Sequence, residues 1–395
     1  MSASGTASPQ VAVVGAGWSG ATAARLLHDA GLRVHIFERT MAVGGHSRSA
    51  TVNGVLFEPE GPHIFHTSKP AVKDFAVRHG MRHSYEHKGL TQIFLDDADE
   101  RPYTLSWPPQ VAELRVLPVW PAIEKELSEI PPTPCTRDFE SHCVSIMGRT
   151  LYRLFIEGYT IKQWGCHPSD LSSKFAPSRL GLRTDGNRRL FRDTWEFFPL
   201  PNAQEVMESM TRPIPATFGQ EIAAADLPEL ERTYDAVVLT VPLDTFAGRP
   251  GRLEWRGIRT VSRYIPLEDP DATVTPGYIV NHPSLRVPYT RTVESKHASG
   301  QSIPATVVTE EYPGAPARHY PVLTTDSRNE RENVRLQEEI RKMTRMSVFF
   351  CGRLANYEYI NQDVALDQGM SCANDVIREL RAKGRNTWEG RAYER

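Results

Sequence analysis

The sequence predicts an α/β fold: a Rossmann-like domain built from discontinuous segments, plus a small helical domain and an antiparallel β-sheet domain. Three observations predict it. A strand, a glycine-rich turn and a helix open the chain. Buried strands at 234–242 and 347–351 rejoin a sheet of the same kind much later. Between them lie a proline-broken helical stretch from 107 to 148 and a run of alternating strands from 253 to 311.

The opening carries the most information. Val11-Ala12-Val13-Val14 is a short apolar run suited to a buried parallel strand. Gly15-Ala16-Gly17-Trp18-Ser19-Gly20 follows at once, then a helix with apolar Ala21, Ala24, Leu26 and Leu27 that stops at Gly31. A second strand, Val34-His35-Ile36-Phe37, ends on Glu38, about twenty residues past the glycines. Gly15, Gly17 and Gly20 permit a tight turn and close backbone approach. A pyrophosphate can then rest on the helix N-terminus, where unpaired N–H groups and the dipole favour an anion. Glu38 would accept hydrogen bonds from a ribose hydroxyl. Strand, turn, helix, strand and acid together point to a bound dinucleotide rather than a bare tight turn.

After Glu38 and Arg39 comes Val43-Gly44-Gly45-His46, a loop whose glycines let the backbone lie against a cofactor. A nicotinamide domain would continue here into another strand–helix unit. This chain instead makes two short extended stretches, 49–52 and 55–58, and reaches Gly61-Pro62-His63-Ile64-Phe65-His66-Thr67, which favours FAD over NAD. His63 and His66 are both candidates to flank the redox ring; one can equally be a packed, hydrogen-bonded histidine, and His66 fits that reading better.

A helix over 70–80 has Pro70 in its first turn and Gly80 at its end. Residues 91–95 and 101–106 form a hairpin across 96–100. Pro131-Pro132-Thr133-Pro134 is a linker, followed by helices over 138–147 and 149–158. Strands over 253–265, 277–281 and 306–311 make the antiparallel sheet, and 329–343 is an amphipathic helix. The last strand, 347–351, runs into Gly352-Arg353-Leu354, and a helix over 362–380 closes the fold. That second strand-to-helix turn brings another helix N-terminus toward the cofactor.

Bulk properties narrow the class. A chain of 395 residues with net charge −2 and no basic stripe offers nothing to nucleic acid or an anionic membrane surface. No apolar stretch has spanning length, and the first residues lack the pattern of a signal peptide, so a cytoplasmic enzyme is expected. Five cysteines without a C-x-x-C, and scattered histidines, give neither a disulfide frame nor a metal site.

Two further patterns are ambiguous from the residues alone. Phe155, Tyr159 and Trp164, with Thr160, Lys162 and Gln163 among them, form either a base-stacking wall or an ordinary core stripe. Arg179, Arg183, Arg188, Arg189 and Arg192, punctuated by Gly181 and Gly186, form either a mobile phosphate clamp or a solvated loop with surface ion pairs.

Taken in order, residues 15–20, 44–45, 61–67, 158–165, 253–256, 288–297, 311–313, 319–322 and 352–359 resemble the UDP-galactopyranose mutases over nearly the whole chain. These flavoenzymes interconvert pyranose and furanose forms of a nucleotide-linked hexose. The resemblance implies an FAD-binding domain of 1–85, 200–250 and 336–395, a helical substrate domain of 107–178, and an antiparallel sheet domain of 86–106, 179–199 and 251–335. It implies FAD contacts from Gly15, Gly17, Trp18, Ser19, Gly20, Glu38, Arg39, Gly45, His46, Gly352, Asn361 and Gln362, with His63 beside the flavin. Phe155, Tyr159, Thr160 and Trp164 would hold the nucleotide, and Arg183 on its mobile loop would close on the diphosphate. Arg256 and Arg353 would lie near diphosphate and sugar, and Tyr320 and Tyr359 would bind the phosphates beside the anomeric carbon.

The implied chemistry is attack of reduced flavin N5 on the anomeric carbon, giving a flavin–sugar adduct that opens and is reclosed by the other ring hydroxyl. The active cofactor is reduced FAD, with no net redox change. The implied partners are a UDP- or GDP-hexose and an external reductant such as NAD(P)H, with a homodimer left open. The sequence departs from the family's pattern at 103–110, at Asn361-Gln362 and at Asn202-Ala203-Gln204, which leaves the base open among uracil, guanine and others, and the sugar open to a hexose other than galactose. Two other readings compete: an FAD-dependent oxidoreductase of the amine-oxidase type, and a nucleotide-sugar binder without turnover.

Overall fold

The computed structural model describes residues 8–96, 98–174 and 180–384, so Arg179 of the arginine loop lies outside the described residues. Five parallel strands form the first sheet, in the order Ser347–Phe350, Ala236–Leu239, Gln10–Val14, Arg33–Glu38, Ala216–Phe218. From the central strand 10–14 the chain passes one way to 33–38 and, two hundred residues on, the other way to 236–239. That reversal opens a crevice at the carboxyl ends of the strands, where open α/β sheets bind ligands.

Strand periodicity decides the two cores. Val11 and Val13 face one layer, with the helices Trp18–Asp29, Pro70–Arg78, Ala203–Thr211 and Gln362–Ala382. Ala12 and Val14 face the other, with Leu336 and Ile340 of the helix Arg328–Lys342. Each fully buried Leu or Ile there contributes roughly 1.5–3 kcal/mol of transfer free energy. The helices Trp18–Asp29 and Gln362–Ala382 cross unusually closely. A Cβ at Gly369 would lie 2.7 Å from the Ser19 carbonyl oxygen and 2.8 Å from Thr22 Cβ.

The second sheet has six strands, ordered Trp255–Pro266, Ala305–Pro321, Arg291–Val293, Ile279–Asn281, Gly89–Ile93, Tyr103–Trp107. It is antiparallel except where 279–281 meets 89–93 in parallel. The short strand Arg291–Val293, absent from the sequence reading, lies between 279–281 and 305–321.

The helical segment differs from expectation in one instructive way. Asp138 caps the first helix, its carboxylate accepting from Ser141 N–H at 2.7 Å. Gly148 then breaks the helix with φ 81° and ψ 165°. Glu126 fills the gap and accepts from both the N–H (2.7 Å) and hydroxyl (2.8 Å) of Thr150, starting the next helix. That helix does not stop at 158: a π-helical turn, Arg153–Glu157, carries it on to Trp164, and Gly165 ends it at φ +67°. Widened turns of this kind rotate the residues that follow and recur at functional sites. No helix among the described residues is long and apolar enough to cross a membrane.

Candidate active site

The site begins at the glycine turn. Gly15 adopts φ +102°, and a Cβ there would sit 2.2 Å from Thr240 Oγ1; a Cβ at Gly20 would sit 2.0 Å from the Gly15 carbonyl. Trp18 and Ser19 spend their side chains on packing: the indole donates to Ser47 Oγ (3.1 Å), and the Ser19 hydroxyl donates to the Ala365 carbonyl (2.9 Å). What they offer a phosphate is backbone N–H, in a first turn that carries no acidic residue. Glu38 is buried at the end of its strand, accepting from Ala16 N–H, Thr40 N–H and the Thr40 hydroxyl. Of about four lone-pair directions on a carboxylate, three are used and one remains for a ribose hydroxyl.

Gly44 N–H donates to the Ala16 carbonyl at 2.9 Å, and a Cβ at Gly45 would lie 3.3 Å from Gly17 Cα. The second loop therefore leans on the first, and only glycine leaves a cradle between them. His63 is buried beside this loop, its Nε2 2.8 Å from the His46 carbonyl. The late turn closes the cradle from the third side. Gly352, at φ +84°, comes so near the first helix that a Cβ would meet Ser19 Oγ at 2.4 Å. Asn361 precedes the long helix, and Gln362 Oε1 and Asp363 Oδ1 are buried without a hydrogen-bond partner. This donor-rich, side-chain-poor cradle fits a dinucleotide with a flavin. Arg39 is exposed at its rim.

A second group of residues converges from far along the chain. The Arg353 guanidinium stacks 5.1 Å from the Tyr320 ring and 5.5 Å from the Tyr359 ring, and the two phenols lie 5.5 Å apart. Trp164 meets both edge-on, at 6.0 and 5.9 Å. Arg353 also donates to the Ile360 carbonyl (3.1 Å) and the His319 carbonyl (3.2 Å), so its head is held in place before any ligand arrives. His319 stacks on His46 at 4.4 Å and contacts Glu60 through Nε2 at 3.3 Å. Burial, then the neighbouring His319 and Arg353, lower His46 to about 3, which keeps that imidazole neutral. The His319 contact holds the Glu60 carboxyl below its ordinary range. The phosphate-type residues and the cofactor loop thus touch through one imidazole stack.

The aromatic stripe divides. Trp164 joins the tyrosines, whereas Phe155 stacks with Trp107 at 6.3 Å inside the helical core, and Thr160 is buried. Burial pushes the Tyr159 phenol up, and it faces the Arg291–Glu311 pair. Lys162 and Gln163 turn away from the wall. Lys162 Nζ donates to the carbonyls of His282, Ser284, Val287 and Tyr289, at 2.6 to 2.9 Å, and burial lowers it to about 8. It pins the loop that leads into Arg291.

Two arginines expected at the diphosphate are occupied otherwise. Arg256 caps the helix ending at Trp164, donating to the carbonyls of Gln163 (2.9 Å) and Lys162 (3.1 Å). Arg183 folds onto its own loop, donating to the carbonyls of Arg189 and Leu190. Arg188 binds Ser106 and Glu113, Arg189 binds Glu196, and Arg192 binds Asp185. His66 is a packed histidine, bonded to Asp193 at 2.8 Å and stacked on Phe191 at 3.6 Å.

The sequence reading missed a buried ion pair. Arg291 Nε donates to Glu311 Oε2 at 2.6 Å; Glu311 is wholly buried, and its Oε1 has no hydrogen-bond partner. That free oxygen lies toward Gly61, where a Cβ would come within 3.1 Å. Burial alone would lower Arg291, but the Glu311 carboxylate and the Tyr159 and Tyr320 phenols outweigh it and hold the guanidinium well above its ordinary value. The two residues are register partners on adjacent strands, a relation that no spacing reveals.

Comparison with known proteins places this geometry. The family model described as UDP-galactopyranose mutase matches residues 154–359, which contain nearly all of the convergent face. The chain belongs to the UDP-galactopyranose mutase family. A second model, an NAD(P)-binding Rossmann-like domain, matches residues 13–78. Similar family members include a probable UDP-galactopyranose mutase of Klebsiella pneumoniae, 26% identical over 93% of this chain and 94% of its own. A dTDP-fucopyranose mutase of Escherichia coli is 25% identical over 93% of this chain and 98% of its own. Proteins so named are isomerases. Among solved structures, a reduced UDP-galactopyranose mutase superposes with TM-score 0.73 at 16% identity, covering 94% of this chain and 96% of its own. A putative protoporphyrinogen oxidase from Exiguobacterium sp. 255-15 superposes with TM-score 0.67 at 14% identity, covering 96% and 100%. Both structural likenesses bear on the fold alone.

Proposed function

We propose that this mutase-family protein interconverts the pyranose and furanose forms of a nucleoside-diphosphate hexose, with FAD active in its reduced form. The observation that carries the reading is the meeting of Arg353, Tyr320, Tyr359 and Trp164 with the His46 loop. A fixed cation and two phenols stand against the same wall as the cofactor cradle. Bound and reduced, a flavin supplies an electron-rich ring nitrogen for the anomeric carbon.

The protein's own work is positioning and charge stabilisation. Gly15, Gly17, Gly20 and Gly45 admit the pyrophosphate to backbone N–H groups, and Glu38 orients the ribose. Gly352, Asn361 and Gln362 border the cradle at the second helix start. Arg353 and the hydroxyls of Tyr320 and Tyr359 take the charge that develops on the departing diphosphate. The pre-bonded state of Arg353 limits the reorganisation needed at that moment. Tyr159 and Trp164 face the nucleotide, with Phe155 and Thr160 packed behind them in the helical core. Arg183 and Arg256 join the diphosphate only by exchanging backbone carbonyls for phosphate oxygens, so Arg183 acts after its loop has moved. The two curated relatives are named for UDP and dTDP sugars, both pyrimidine nucleotides, which supports a pyrimidine over a guanine base.

The test is chromatographic. Flavin-loaded protein is incubated with and without dithionite against UDP-, dTDP- and GDP-linked hexoses, and the products are examined for a furanose peak. Conversion confined to the reduced sample is expected, and NAD(P)H should replace dithionite. Equal conversion without reductant, or hydrogen peroxide released from an amine with no furanose formed, would overturn the reading.

A further inference from the structure

Lys162 lies on the helix that carries Tyr159 and Trp164, yet its charge is spent on a loop. Its Nζ donates to four carbonyl oxygens: those of His282 (2.6 Å), Ser284 (2.9 Å), Val287 (2.8 Å) and Tyr289 (2.8 Å). An ammonium has only three N–H bonds, so these acceptors use all of them and leave none for a ligand. All four oxygens lie in the connection between the strands Ile279–Asn281 and Arg291–Val293. Two further contacts join helix and connection at the same place. The Thr290 hydroxyl donates to Gln163 Oε1 at 3.3 Å, and Gly158 packs so closely that a Cβ there would strike the Pro283 carbonyl. Taking an ammonium out of water is costly unless acceptors converge on it, and these converge only while the connection keeps its fold. Lys162 and the loop therefore fix each other.

The pin spans the two halves of the site. On its helix side stand Tyr159 and Trp164, the base wall. On its loop side the chain runs straight into Arg291, which is held by Glu311 at 2.6 Å and faced by the Tyr159 and Tyr320 phenols. Tyr320 belongs in turn to the phosphate face with Arg353 and Tyr359. Resting on the nucleotide-sugar reading of the site, we propose that Lys162 is a positioning residue that sets the distance from base wall to phosphate face, so that one nucleoside diphosphate engages both at once. A ligand tied at two points gains from the second contact only as far as the two subsites are held at its own span. Lys162 touches neither end of such a ligand, so a nucleoside alone, which needs only the wall, keeps its affinity when the pin is lost.

The decisive measurement compares a ligand that spans both halves with one that touches the wall alone. UDP and uridine, and likewise dTDP and thymidine, are titrated into the flavin-loaded full chain, unsubstituted and as Lys162→Met. The substitution keeps an unbranched side chain and removes the charge. The diphosphates should bind about tenfold more weakly to Lys162→Met, and the nucleosides should stay within about twofold. Equal weakening of diphosphate and nucleoside would make Lys162 a plain scaffold residue of its helix and overturn the proposal, as would an unchanged diphosphate affinity. Should Lys162→Met fail to fold, Lys162→Arg carries the same comparison. It keeps the charge, but a planar guanidinium cannot face four carbonyls that converge on one point, so the same split is expected. Absence of diphosphate binding to the unsubstituted chain sinks the nucleotide-sugar reading and the proposal together. Normal binding with an unaltered ratio of diphosphate to nucleoside affinity in the variants sinks the proposal alone.

Discussion

The glycine turn at 15–20 and the face around Arg353, the two anion sites of the proposed function, are built in opposite ways. The turn belongs to one strand–turn–helix unit, and its donors are backbone N–H groups exposed by helix geometry. The face draws Trp164, Arg291, Glu311, Tyr320, Arg353 and Tyr359 from a span of nearly two hundred residues, and its donors are side chains. A backbone cradle tolerates side-chain change wherever the backbone keeps its path. A side-chain face fails when one member goes, because the others were desolvated on its account. The comparison teaches where each half is vulnerable.

The largest effect is expected at Arg291. Arg291→Ala leaves Glu311 buried, charged and unpaired, with a predicted loss of roughly 3–5 kcal/mol in urea unfolding. Unfolding at the unaltered midpoint would show that the face does not depend on its ion pair. Next, Arg353→Ala removes a pre-positioned donor and should lower turnover about 10²–10³-fold, some 3–4 kcal/mol, while flavin content on purification holds. Flavin loss comparable to the rate loss would dissolve the distinction between the two halves.

A control on the sheet scaffold comes third. Burial would raise Glu294, but its hydrogen bonds from His297, Thr275 and Thr306 outweigh this and bring it from an ordinary value of 4.5 to about 2. A depressed folded-state value means that the unfolded chain binds the proton more readily between those limits. The stabilisation, roughly 3 kcal/mol, is therefore full above about pH 4.5 and lost as pH falls toward 2. Glu294→Gln should flatten that acid limb in denaturation curves, and an identical limb would assign acid lability elsewhere. The smallest effect is expected in the cradle. Glu38→Gln should weaken FAD retention about tenfold, near 1.5 kcal/mol for one charge-assisted hydrogen bond; full flavin occupancy in this variant would remove Glu38 from the ribose.

Sequence and structure part company along the same line. The opening unit was legible because its signals are local: glycine positions, apolar strands and a terminal acid fix a turn through backbone sterics alone. The hairpin at 89–107, the helix with Pro70 and the late strand–helix turn were legible for the same reason. Charge is visible in a sequence and its destination is not: Lys162 and Arg256 both donate to backbone carbonyls in the folded chain. The fate of Arg183 was equally hidden, since a loop's own carbonyls leave no trace in composition.

The sequence by itself determined the Rossmann-like α/β framework, the cofactor turn and the family, because each depends on neighbours a few residues apart or on an ordered set of short motifs. Only the tertiary structure decided which charged groups meet. Arg291 faces Glu311 through strand register, and Arg353 lies on two phenols through a turn and a strand end. Electrostatic partnership depends on distances of three to five ångströms in a low-dielectric interior, and those distances exist only after the chain has folded.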